Sequence, residues 1–264
     1  MFDASAFAGV WPFRPHRERT LAALVHTLSG LGVRGACISP VEAILHPEPM
    51  TANRRLFEEA EEALRENAAV AAGQGFEMFF APVIDPTLAT WREHLDECLS
   101  VGGERVRAVK IVPNYHGYSL AAEPAVGALA RAVAERNLAL CIQVRMEDER
   151  SRHVRTDTVG VPAAEIAAFA GRHPALRILV CGGYMTDVRA LAPHENLAFE
   201  MSFVESGNVL GDALRLVGAG RLLAGTHAPL LMPAVGLVKP LADEAAPDQV
   251  QAMTEGNYRR IFAA

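Results

Sequence analysis

The sequence has few cysteines and none of them in a CxxC pair: Cys37, Cys98, Cys141 and Cys181 are scattered through 264 residues. That spacing excludes a disulfide framework and leaves reduced thiols, as in a cytoplasmic protein. Basic charge is not in excess either. With 25 Lys and Arg against 31 Asp and Glu the formal net charge is −6, the reverse of a nucleic-acid footprint, so no nucleic-acid partner is expected. No apolar run approaches the ~20 residues of a membrane span. Met1-Phe2-Asp3-Ala4-Ser5 lacks the basic region and apolar core of a signal peptide. The expectation is a cytoplasmic chain with no membrane partner. Two phosphate-binding loops are missing as well. Ala8-Gly9-Val10-Trp11-Pro12 stands where a GxGxxG turn would follow a first strand, and no GxxxxGK[ST] occurs anywhere.

What the chain does have is apolar substance: 50% of residues are hydrophobic and 21% charged, which excludes collagenous and disordered classes. A chain of this length buries roughly three quarters of its unfolded surface and needs no staples. Short apolar runs alternate with helical patterns. Strands are predicted at Met1–Ala4, Val33–Ser39, Met78–Ile84, Val106–Val112, Leu138–Val144, Leu176–Cys181, Leu197–Met201 and Arg221–Gly225. Helices are predicted at Arg19–Gly30, Asn53–Asn67, after Asp85-Pro86-Thr87, and at Pro124–Arg136, Ala163–Gly171 and Asn208–Val217. In the second of these, Leu56, Ala60, Ala63 and Leu64 share one face. Strands apolar on both faces and alternating with helices imply a parallel sheet. Eight βα units predict a (β/α)8 TIM barrel, one domain over residues 1–264. The open doubly wound sheet is the second choice, and it lacks its glycine turn.

Active sites of such barrels lie at the C-terminal strand ends, which turns the strand reading into candidate positions. The first strand leads to Ser5 and Phe7, then Trp11 and Arg14. The fourth delivers Lys110, followed by Tyr115 and His116; the fifth Gln143 and Arg145. The sixth ends at Cys181, the seventh at Glu200 and the eighth at Thr226-His227. Lys110 interrupts an apolar strand, where an unpaired cation is costly. His227 follows an apolar strand directly. Glu200 and Arg145 are candidates for substrate binding or for an interior ion pair. His16, His26, His94, His153, His173 and His194 are expected at the surface. Leu230, Leu231 and Met232 are candidates for a contact between copies of the chain, hence a homo-oligomer, or for a pocket wall.

Five segments, in order, resemble the amidohydrolase-related (amidohydrolase family 2) hydrolases: Phe2-Asp3-Ala4-Ser5-Ala6-Phe7, Ile84-Asp85-Pro86, Val109-Lys110-Ile111-Val112-Pro113-Asn114, Leu222 to Pro229, and Gly256 to Phe262. The resemblance implies a TIM barrel holding a divalent metal on an HxH pair, on histidines ending strands five and six, and on an aspartate ending strand eight. This chain carries Ser5, Phe7, Gln143, Cys181 and His227 there. Phenylalanine cannot ligate, and neutral Ser and Gln are poor zinc ligands, so no metal cofactor is expected. The resulting expectation is a metal-free hydrolase of a small carboxylate-bearing ester or lactone. His227 would be its base and Lys110 its second catalytic group, with Arg145, Gln143, Arg14, Tyr115, His116, Glu200 and Cys181 around the small-molecule substrate. The alternatives are a non-catalytic binding barrel, a lyase or decarboxylase using Lys110, and a zinc site rebuilt from Cys181, His227 and His116 or Glu200.

Overall fold

The structure, a computed structural model, describes residues 1–67, 75–121, 124–150 and 158–262. Within them the strands are β1 (Phe2–Ala8), β2 (Gly35–Pro40), β3 (Glu77–Phe80), β4 (Ala108–Ile111), β5 (Ala139–Gln143), β6 (Ile178–Cys181), β7 (Leu197–Glu200) and β8 (Leu222–Leu223). Neighbours pair in parallel from β1 to β3 and from β4 to β8. Bridges at Phe80–Val106 and Val83–Lys110 join β3 to β4. The ring closes where Ala4 N donates to Ala224 O, His227 N to Ser5 O and Phe7 N to Ala228 O. This is the expected (β/α)8 barrel.

The helices are α1 (Leu21–Gly30), α2 (Met50–Glu58), α3 (Ala60–Glu66), α4 (Trp91–Gly102), α5 (Ala125–Glu135), α6 (Ala163–Arg172), α7 (Met185–Leu191), α8 (Val209–Val217), α9 (Pro233–Val238), α10 (Pro247–Gln251) and α11 (Asn257–Phe262). Two departures from the sequence reading have local causes. The helix expected over Asn53–Asn67 breaks between Glu58 and Ala60. Its first half is pinned by the buried Asn53 amide, which donates to Val83 O at 2.9 Å and accepts from Val83 N at 3.0 Å. Helix α7 was not expected; its seven residues are too few to show a period, and Asp187 holds its start by accepting from Tyr184 N. Among the histidines expected outside, His26 is exposed, and His16, His94, His173 and His194 are half-buried. His153 lies outside the described residues.

Three packed layers follow the barrel axis. Outside the strands, helix faces carrying residues such as Leu24, Leu95 and Phe169 form the main core. Inside, the lower barrel is lined by small residues, among them Ala4, Cys37, Ala108, Cys141 and Cys181. The space they leave is filled from below by α11, whose Tyr258 ring stacks on Phe2 and Phe79 at 4.9 and 5.7 Å. Above, Phe7, Trp11, Ile44, Val112, Met146 and Leu230 form a third apolar cluster across the mouth. The register of β1 shifts between Asp3 and Ala6, which lets Ser5 and Phe7 face the axis above Phe2 and Ala4. The polar strand tips are thus enclosed between two apolar plugs.

Candidate functional site

Lys110 lies on the axis between those plugs. Alternation along β4 sends Ala108 and Lys110 inward, and the side chain is 1% exposed. Its ammonium donates to Ser5 Oγ at 3.2 Å and Gln143 Oε1 at 3.1 Å, and stands 4.2 Å from the centre of the Phe7 ring. Gln143 is itself oriented: its Nε2 donates to Arg145 O at 2.7 Å, which turns the carbonyl oxygen toward the lysine. Two neutral acceptors and a ring face are what a desolvated ammonium uses when no anion is present. Among the described residues Lys110 has no carboxylate at ion-pair distance.

His227 sits at the end of β8 with φ +53°, unusual for a residue other than glycine. Its ring is fully buried and edge-on to Phe7 and Phe203, both at 4.9 Å. Ring Nε2 lies 2.9 Å from Met146 O, which requires a proton on Nε2 and leaves a lone pair on Nδ1. Nδ1 has no hydrogen-bond partner among the described residues. Burial pushes the imidazole down from 6.5 to about 3, with Lys110 and Arg14 adding to the effect and the Met146 carbonyl opposing it. At neutral pH it is a neutral base.

Other expected site residues make contacts within the chain away from Lys110. Glu200 does not meet Arg145. Its carboxylate accepts from Gly182 N at 2.6 Å and from Ser202 N and Oγ at 2.9 and 2.7 Å. Arg145 instead donates to Gly182 O and Asp187 at 2.6 and 2.8 Å and stacks on Tyr184 at 3.7 Å. His116 faces Ala43 O at 3.2 Å and Asp85 at 3.8 Å, because the loop after β4 turns toward the β2 side. Tyr115 packs edge-on against Trp11. Arg14 is exposed and donates to Leu230 O. Leu230 belongs to the mouth cluster while Met232 is 71% exposed. Asp3 ties the closing seam, accepting from Ser5 N and Thr226 N at 3.0 Å and from Thr226 Oγ1 at 2.5 Å.

Three residues were missed in the sequence. Phe203, after β7, is buried against His227 and also lines a cavity of about 300 Å³ whose other walls include Tyr184, Met185, Arg150 and Glu149. Lys239 donates to Met201 O, Ser202 O and Val204 O at 3.0, 2.6 and 3.0 Å, which fixes the loop carrying Phe203. Glu147 is buried, and its Oε2 has no partner among the described residues. No local pattern marks Phe203 or Lys239, whose partners are a ring and three carbonyls distant in the chain. Glu147 stands in the charged run Glu147-Asp148-Glu149-Arg150, where burial of one member leaves no signal.

The implied divalent metal does not fit these donors. Ser5 Oγ and Gln143 Oε1 are engaged by an ammonium, and Phe7 offers a ring. Burial pushes the Cys181 thiol well above its usual range, which keeps it protonated. Among the described residues no group of three or more His, Cys, Asp or Glu side chains could hold a metal ion. The site rebuilt from Cys181, His227 and His116 or Glu200 is therefore not assembled, since Glu200 and His116 are turned to other partners.

No family model matches the chain, and no curated protein matches it. Solved structures do. A 2,6-dihydroxybenzoate decarboxylase in complex with 2,6-dihydroxybenzoate is 15% identical with a TM-score of 0.66, covering 100% of this chain and 99% of its own. An amidohydrolase II structure is 12% identical, TM-score 0.63, covering 100% and 99%. A dihydroxybenzoic acid decarboxylase from Polaromonas, with bound manganese and 2-nitroresorcinol, is 17% identical, TM-score 0.64, covering 99% and 96%. The chain has the fold of these amidohydrolase-type TIM barrels over its full length. No helix among the described residues is long and apolar enough to cross a membrane.

Proposed function

We propose that this chain is a lyase of amidohydrolase type that decarboxylates a small aromatic acid, with Lys110 as its anion-binding cation. The observation that carries the reading is the buried Lys110 ammonium without a carboxylate partner among the described residues. A lone charge in a dry interior is costly, and a substrate carboxylate supplies the missing counter-charge. The dihydroxybenzoate decarboxylases of the same fold support an aromatic acid, and the cavity walled by Tyr184 and Phe203 lies behind the ring that covers His227. Hydrolysis of an ester or lactone, the first expectation from the sequence, draws no such support.

In this reading the carboxylate pairs with Lys110 and a ring hydroxyl donates to His227 Nδ1. The ammonium passes a proton to the ring carbon that bears the carboxylate. The bond to the carboxylate then breaks, CO2 leaves, and the electron pair of that bond restores the aromatic ring. Water returns a proton to the amine. Access requires the Phe203 ring to leave the edge of His227, a conformational step before chemistry.

The test is CO2 release from a panel of hydroxylated benzoates by wild type and Lys110→Met. Loss of a positioned acid and its charge should lower turnover by at least about a hundredfold. Undiminished turnover in Lys110→Met would refute the reading. A second reading, a binding barrel without chemistry, is favoured by the apolar cluster over Lys110, where Phe7 and Trp11 are 0% and 1% exposed. Saturable benzoate binding with no CO2 from any panel member would select it.

A further inference from the structure

We infer that Lys110 is the resident cation of this barrel, its tethered ammonium holding the place on the axis that a divalent metal ion would need. The inference concerns what occupies the axis and stands whether or not the chain decarboxylates anything. Strands β1, β4 and β5 converge on one point, and each contributes to it. Ser5 and Phe7 come from β1, Gln143 from β5, and Lys110 itself from β4. The contacts to Nζ are 3.2 Å from Ser5 Oγ, 3.1 Å from Gln143 Oε1 and 4.2 Å from the Phe7 ring centre. Both oxygens are neutral acceptors, suited to an N–H donor and weak toward a dication.

The surroundings are built to match. The Gln143 amide is locked by its bond to Arg145 O, so its oxygen cannot turn away. A Cβ on Gly182 would come within 2.8 Å of Gln143 Nε2 and 2.5 Å of Arg145 O, so the absence of a side chain there lets this arrangement form. Two fully buried acids on the strands are committed elsewhere. Asp3 accepts from Ser5 N and from Thr226, and Glu200 from Gly182 N and Ser202. A structure of the same fold holds manganese; here a cation is supplied by the chain. A dication brought to about 4 Å from this ammonium would meet like charge.

The test uses the intact chain made in medium supplemented with manganese and zinc. Metal analysis of wild type should find far less than one equivalent of either per chain, and neither millimolar Mn²⁺ nor EDTA should shift its melting temperature. A second comparison restores imidazole ligands with Ser5→His and Phe7→His, once with Lys110 kept and once with Lys110→Ala. The variant without the lysine should bind Mn²⁺ at least about thirtyfold more tightly, the factor that a dication and an ammonium about 4 Å apart give even in bulk water. A full equivalent of metal in wild type overturns the inference. So does equal uptake by the two variants, whether full or nil. If a variant does not fold, the wild-type measurements decide. None of these readings uses a substrate, so absence of decarboxylation leaves them standing.

Discussion

Replacing Asp3 by Asn should make the chain lose stability in acid, and replacing His227 by Gln should do the reverse. The two side chains flank the closing seam and have no exposed surface. Burial pushes the Asp3 carboxyl up from 3.8 to about 6, although Ser5 and Thr226 donors pull the other way. Burial pushes His227 down from 6.5 to about 3. A base depressed by folding binds fewer protons folded than unfolded, so its stabilising contribution is lost as pH falls below about 6.5 toward 3. An acid raised by folding binds more protons folded. Its contribution is fully present below 3.8 and is lost as pH rises through about 6.

The two effects nearly cancel over one window. From about pH 7 to about pH 4, His227 costs about 3 kcal/mol at roughly 1.4 kcal/mol per unit, and Asp3 returns about 3 kcal/mol. Asp3→Asn keeps an acceptor for the two backbone N–H groups and removes the return. Relative to wild type it should lose about 3 kcal/mol on acidification over that window. His227→Gln keeps a donor for Met146 O and removes the cost, so it should gain about the same. Urea unfolding at several pH values, with the slope m checked for constancy, reads both. Parallel pH profiles for wild type and the two variants would refute the reasoning.

Trp11→Ala should destabilise by about 3–5 kcal/mol, as for a large aromatic cut from a packed core, because Trp11 is 1% exposed in the mouth cluster. Urea unfolding checks it, and a loss under about 1 kcal/mol would mean that the cluster collapses around the gap. Phe203→Ala should join the cavity beside Tyr184 to the face of His227. Diethyl pyrocarbonate should then modify the His227 peptide faster than in wild type, as read by mass spectrometry. An unchanged rate would place the barrier elsewhere.

The barrel was legible because its signal is repeated: apolar strand, helix, apolar strand, eight times over, with strand ends fixing which positions face the mouth. Lys110 and Gln143 stood out as polar residues closing buried strands, and the structure brings them together. Glu200 and Arg145 stand out for the same reason, as substrate binders or as an interior ion pair with each other. Their actual partners are Gly182 N and Ser202 for the acid, Asp187 and Gly182 O for the base. Backbone groups carry no sequence mark, and Asp187 opens a helix too short to show a period. Loop placement was equally hidden. His116 follows β4 closely in the chain, yet the turn after Val112 carries it to Ala43.

Sequence reasoning weighs a buried lysine by its cost and looks for an anion to offset it. In the folded chain the offset is distributed. A hydroxyl, an amide oxygen and the Phe7 ring share the charge, while the buried acids Asp3 and Glu200 spend their oxygens on backbone N–H and hydroxyl donors. Neutral acceptors of that kind stabilise an ammonium less than a carboxylate would. The difference remains as a standing preference for an anion at Nζ. The same arrangement that keeps a metal off the axis therefore makes the axis receptive to a carboxylate, and Lys110→Met should abolish that receptivity as it removes the charge.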